Sequence, residues 1–399
     1  MNRTKFIAGV ISVFSLCNFS RFHLEAQEIN ADQQRKSVVS YLAKKDMPKS
    51  VNVDLHLRAN FRAELPQEGS GKNQASFHFD HIMIGLHGNI TKKLSYLYRQ
   101  RLNKGGVKAF EVENLRSTID YAYLTYKIND LYAVKVGRQA LFMGGFEYYQ
   151  SPIDVYEFSG IDNNITCYLT GASFMFTPRE NQEFGVQIVN NRHGSIEEAF
   201  GAIPAGVEGP GAPLYYAVEW NSHYFDKKLE LRYGAAAGEM LKGKWGFMIN
   251  GGQKLNLGKF NTFLDVLYDH SGVDYLGMIR GMARTEEGMP YAGIAQSVQY
   301  LSVISESNYR FLPNWNIRVK AFYDHGSVFK SNGMFEKGTY ISAWGYQGGI
   351  EYYPMADDNL RVYVNVIGKA HKDFHLANME TPRDRVRLSL GFVYRLPVL

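Results

Sequence analysis

Ten cations are spaced for service on rigid walls: Arg58, Arg62, Arg99, Arg101, Lys135, Arg138, Arg318, Lys320, Arg385 and Arg387. Four acids, Glu147, Asp154, Glu157 and Asp162, fall within one intervening segment. Fixed cations facing loop carboxylates would set up a transverse field in a narrow watery passage. Low-dielectric walls strengthen such a field, and it sorts small polar solutes by charge and dipole. The plainer alternative is that each cation is a solvated side chain paired locally with Asp54, Asp324 or Asp384. Both readings are open at the level of sequence.

The elements that must carry these residues alternate strictly. In the last stretch Val386, Leu388, Leu390, Phe392, Tyr394 and Leu396 interleave with Arg385, Arg387, Ser389, Gly391, Val393 and Arg395. Side chains on a strand point to opposite faces with period two, so this ribbon has one apolar side and one largely polar, cationic side. Residues 51–62 and 315–324 behave the same way. An unpaired charge in a dry core costs several kcal/mol, about the scale of a domain's whole stability, so the polar faces are expected to meet water. Lipid outside and a wet lumen inside satisfy both faces.

About sixteen such stretches follow one another from residue 51 onward. The connections between them are alternately short (such as 128–130, 226–228 and 256–258) and long (such as 104–116, 139–164, 192–214 and 270–295). Asn129-Asp130 and Asn256-Leu257-Gly258 are turn chemistry for the short set. Only 240–243 breaks the alternation. The expected fold is all-β, a closed antiparallel transmembrane β-barrel of about 16 strands with short periplasmic turns and long external loops. Aromatics at 14%, with 27 Tyr and 25 Phe, suit the interfacial girdles of such a barrel.

Residues 1–27 resemble an export signal: Arg3 and Lys5 precede a mostly apolar stretch from Phe6 to Phe19. Residues 28–50 are polar and form an expected periplasmic lead-in, leaving 51–399 as the barrel. The chain has 44 basic and 39 acidic residues; without 1–27 there remain 41 and 38, a net charge of +3. That balance speaks against a nucleic-acid partner, which requires a dominant basic surface. Cys167 is then the single cysteine, so no internal disulfide is expected.

Signals for an enzyme are weak. The chain contains no Gly-x-Ser-x-Gly, His-Glu-x-x-His or Walker-type loop. Neither His78 and His81 nor His371 and His375 has neighbours with metal-ligand spacing, so no metal or cofactor is expected. Connection 139–164 is long enough to be functional and contains Gly144-Gly145 beside its acids. It is either a constriction loop tucked into the lumen or an exposed surface loop. The expected activity is passive passage of small hydrophilic solutes, with at most a mild anion preference, across the bacterial outer membrane, whose lipid is the surrounding partner. The alternative is a barrel-anchored adhesin acting through loops 192–214 and 270–295.

Four segments carry a family resemblance: 82–88, Val136-Gly137-Arg138 followed by Gly144, Gly145 and Glu147, 349–354, and the final strand. In their order along residues 51–399 the chain resembles the phosphate-selective porin O and P family. The resemblance implies a sixteen-stranded barrel, a homotrimer, and a third loop folded into the pore. Family members tend to have a proline after the Val-Gly-Arg element, and here none lies between Gly137 and Ser151. They also place closely spaced arginines on the second strand, where this chain has Asp80, His81 and Met83.

Overall fold

The computed structural model describes residues 51–65, 74–104 and 112–399. The expected leader at 1–27 and lead-in at 28–50 lie outside the described residues. Sixteen strands carry the period-two pattern. The first eight are β1 (Asn52–Leu65), β2 (Gln74–Asn89), β3 (Leu94–Arg101), β4 (Ile119–Lys127), β5 (Tyr132–Ala140), β6 (Tyr168–Arg179), β7 (Gln182–Asn190) and β8 (Leu214–Tyr224). The rest are β9 (Leu229–Leu241), β10 (Lys244–Leu257), β11 (Phe260–Val273), β12 (Gln296–Leu312), β13 (Trp315–Val328), β14 (Gly338–Tyr352), β15 (Leu360–His371) and β16 (Arg385–Pro397).

Each strand pairs antiparallel with its neighbours in sequence, and β1 pairs with β16, with Leu57 opposite Tyr394 and Phe61 opposite Leu390. Closure leaves no free sheet edge. Outward side chains are apolar and bare: Leu390 is 52% exposed and Val319 51%. At the short-turn end stacked rings run from Tyr132 through Phe176, Phe184 and Trp220 to Tyr233. Near the other end Tyr323 meets Trp344 at 4.6 Å. An aromatic row at one end and aromatic side chains near the other, flanking an apolar band, suit a barrel's outer surface in a bilayer.

Connections sort to two ends as expected. The exception at 240–243 narrows to the two-residue turn Lys242-Gly243, where Gly243 adopts φ +74°. At that angle a residue without Cβ is favoured. The turn after β10 is likewise Gly258-Lys259, with Gly258 at φ +69°.

The register slips once between β1 and β2. Arg58 lies opposite His81 but Ala59 lies opposite Phe79, leaving Asp80 as the extra residue of a bulge. Bulges re-aim side chains; this one places the Asp80 carboxylate beside Arg58 and Arg62.

The lumen departs from a simple wet throat. Leu169, Val189, Met248, Phe263, Leu267, Tyr300, Ile304 and Phe322 form one buried apolar cluster inside the barrel. Chain inserted from the long-loop end covers them. Segment 274–295, with a 3-10 turn at Arg280–Met282, buries Leu276, Ile279 and Ala283 in that cluster. It is held by Asp274, which accepts from the Tyr300 hydroxyl at 2.7 Å.

Candidate functional site

Segment 141–167 leaves β5 and returns to β6, its base closed by the Leu141 amide donating to the Cys167 carbonyl at 2.9 Å. Its own apolar side chains draw it inward. Leu141, Phe142, Met143, Phe146 and Ile161 join the main cluster, while Ile153 and Tyr156 join Met83, Tyr363 and Val393 in a second. The Gly144-Gly145 pair permits the sharp approach to the wall. A Cβ on Gly145 would stand 2.2 Å from the Asp265 carboxyl carbon on β11, and one on Gly144 equally close to the Tyr148 ring. One short helix, α1 (Gly160–Asn164), completes the return limb.

Cations from the far side of the barrel grip the loop. Arg58 on β1 donates through Nη1 to the carbonyls of Pro152 (3.3 Å), Ile153 (3.2 Å) and Val155 (2.6 Å). Arg318 on β13 donates to the Asp154 carbonyl at 2.6 Å and to Gln150 Oε1 at 3.0 Å. The Asp154 carboxylate takes Arg361 at 3.1 Å and both its oxygens accept from Arg395. Glu157 pairs with Arg385 and, at 3.2 Å, with Arg387. Lys320 pairs with Glu147 and donates to the Glu157 carbonyl at 2.5 Å. The Tyr156 ring lies 5.2–5.8 Å from the guanidinium carbons of Arg58, Arg318 and Arg361, and its hydroxyl donates to Glu351 at 2.8 Å. Rigid strands thus supply the donors, and the loop supplies carbonyls, carboxylates and a π-face.

The arginines around Asp154 dominate its titration. Burial alone would push the carboxyl up, but Arg361, Arg395 and Arg318 outweigh it and hold it below the usual carboxylate range. Cys167 goes the other way: burial, with Asp162 nearby, pushes its thiol up to about 12. It is a packed thiol rather than a thiolate nucleophile.

The predicted site residues fall into three groups. Arg58, Arg318, Lys320, Arg385, Arg387, Glu147, Asp154 and Glu157 come together as the loop clamp. Arg62 joins them at its edge, pairing with Asp80 at 2.5 Å. Arg99 and Arg101 share Asp120 on β4, at 3.1 and 2.9 Å, and Arg99 also reaches the Tyr168 hydroxyl at 2.7 Å. Lys135 and Arg138 stand apart. Arg138 is buried against Glu113 (3.3 Å) and His193 (3.0 Å). Lys135 faces a chamber of about 630 Å³ toward the short-turn end, its ammonium 5.1 Å from the Tyr123 ring.

Two expectations need correction. The polar faces were expected to stand in water, yet the Arg58, Arg318 and Lys320 side chains are nearly sealed. Loop carbonyls and carboxylates replace water as their partners, which offsets the desolvation penalty that the expectation rested on. The wall cations and loop acids also touch directly instead of facing one another across an aperture. The local partners differ too. Arg58 pairs with Asp80 and Arg318 with Glu306 and Glu351, whereas Asp54 meets His87, Asp324 meets Lys369, and Asp384 accepts from the His371 amide. Sequence reasoning passed over Arg361, Arg395, Glu351, Asp80 and Asp120. Arg361 and Arg395 lie on inward-facing positions of alternating strands, so the pattern already marked them; Asp80 depends on a bulge that no periodicity announces.

The sequence model of phosphate-selective porin O and P matches residues 51–396. The chain belongs to that family. It is an outer-membrane porin, a channel through which solutes diffuse passively. Solved structures share its fold at low identity. The outer-membrane channel DcaP of Acinetobacter baumannii has a TM-score of 0.61 at 12% identity, covering 86% of this chain and 96% of that one. An anion-selective porin from Comamonas acidovorans gives 0.59 at 10%, with 87% and 99% covered. OmpT of Vibrio cholerae, in its trimer form, gives 0.53 at 9%, with 87% and 99% covered. No curated protein sequence matches this porin.

Proposed function

We propose that this porin passes small hydrophilic solutes with a mild preference for anions, assembles as a homotrimer, and has no catalytic activity of its own. One observation carries the preference: the most exposed member of each acid's set of partners is a cation, although Arg387 and Arg361 lie deeper than the acids they share. Arg385 keeps 41% of its side-chain exposure against 14% for Glu157, Arg395 32% against 21% for Asp154, and Lys369 18% against 1% for Asp324. A permeating ion therefore meets guanidinium and ammonium before carboxylate. The anion-selective porin and the trimeric OmpT, as fold neighbours, support the ion preference and the assembly respectively.

The decisive measurement is reversal potential in planar bilayers under a salt gradient. Wild type gives stepwise currents with a modest anionic shift, and Arg385→Gln or Arg395→Gln moves the potential toward zero. An unchanged potential in both variants removes the proposal. Complete absence of conductance favours the adhesin alternative. Cross-linking of the protein in native membranes reads the trimer.

A further inference from the structure

Where the return limb of the inserted loop meets the wall, three carboxylates surround one ammonium. Asp162, on α1, is 5% exposed; neither of its carboxylate oxygens finds an N–H or hydroxyl donor among the described residues, and its side chain lies within hydrogen-bond reach of the Glu147 carboxyl. Facing it are Glu147 from the outgoing limb, Asp265 from β11 and Lys320 from β13, with the Cys167 thiol nearby on the same loop. Lys320 pairs with Glu147, whose other oxygen accepts from the Ser159 amide at 2.8 Å. Asp265 accepts from the Glu147 amide at 2.8 Å. The successive amides of Gly160 and Ile161 donate to the Asp324 carboxylate at 2.9 Å and to the Ser302 hydroxyl oxygen at 3.4 Å. The loop is therefore seated on β11, β12 and β13 through this cluster.

Charge counting makes the arrangement unstable if every group ionises. Even with the Arg232 guanidinium acting on Asp265, three negative charges would outnumber the cations in a space closed to water, and Asp162 would have no donor at all. A single proton changes the balance. Held by Asp162, it supplies an O–H that donates to Glu147, while Glu147 remains the anion that Lys320 needs. We propose that Asp162 carries a proton directed at Glu147, and that this proton latches the inserted loop to the barrel wall and is released in alkaline solution. The direction of titration agrees: burial first, then Glu147 and Asp265, pushes the Asp162 carboxyl well above the usual carboxylate range.

The sign follows. A carboxyl whose pKa is raised in the latched state binds a proton that the released state does not, so latching weakens as pH rises above the ordinary carboxylate value. For one proton, the ratio of released to latched loop grows about tenfold per pH unit until Asp162 has titrated.

The test is infrared spectroscopy of the refolded porin in detergent, paired with amide hydrogen exchange of the loop. Wild type should show a protonated-carboxyl C=O stretch that persists at neutral pH and disappears in alkali, with the loop's protection relative to intrinsic base-catalysed exchange falling as pH rises. Asp162→Asn, which keeps a donor but cannot release a proton, should lose Asp162's share of the band and keep the loop's protection relative to intrinsic exchange at every pH. A band of equal intensity in wild type and Asp162→Asn at neutral pH overturns the proposal, as does an alkaline loss of loop protection that survives in Asp162→Asn. Should that variant fail to fold, wild-type loop protection decides: protection that does not fall in alkali overturns the proposal. Neither readout needs conduction, so failure here is separable from failure of the selectivity proposal.

Discussion

Arg58 Nη1 lies 2.6 Å from the Val155 carbonyl, so the strand that closes the barrel also holds the loop that enters it. Three buried carbonyls depend on that one nitrogen. Removing it strands acceptors that water cannot easily reach, each costing about 1–3 kcal/mol. Arg58→Ala should therefore lower thermal stability by roughly 3 kcal/mol and raise single-channel conductance as the loop loosens. A variant with wild-type conductance would show that the contacts do not position the loop.

Asp154 predicts an acid transition. Its carboxyl is held below the usual range by Arg361, Arg395 and Arg318 after burial has acted against them. A depressed carboxylate contributes stability that is present above the unfolded value, about 3.9, and lost as pH falls through the folded one. Protease accessibility of the loop should thus rise in strong acid for wild type. Asp154→Asn should show that accessibility already at neutral pH and respond less to acid.

Asp120 offers a selectivity handle away from the loop. It neutralises Arg99 and Arg101 together while its own side chain is almost wholly covered. Asp120→Asn should leave two lumen cations without their counter-charge and shift the reversal potential further toward anions. Melting temperature should fall as well, because like charges now adjoin. A potential that moves toward cations, or not at all, contradicts this.

Gly145 tests the close approach. With a Cβ only 2.2 Å from the Asp265 carboxyl carbon, Gly145→Ala forces loop or strand to shift. Overpacking of this kind costs about 1–3 kcal/mol. The expected result is a lower unfolding temperature with larger conductance, and restoration by a compensating Asp265→Gly change would tie both effects to that contact.

Much of this architecture is written locally. The alternation of Val386 to Leu396 fixes both faces of β16 because successive strand side chains must point to opposite sides. Gly258 marks its turn because left-handed backbone favours a residue without Cβ. The loop's acids and glycines were visible too, and so was its excess length.

What the loop touches was not legible. Asp154 meets Arg361 and Arg395 from 207 and 241 positions away, contacts that exist only once β1 closes on β16. Asp80 turns to Arg58 because of a one-residue slip in pairing, a choice made between strands and not within either. Alternation says which side of a strand is polar, whereas the partner that replaces water on that side depends on curvature, register and an inserted loop. Those are properties of the closed barrel, and tertiary structure alone decides them.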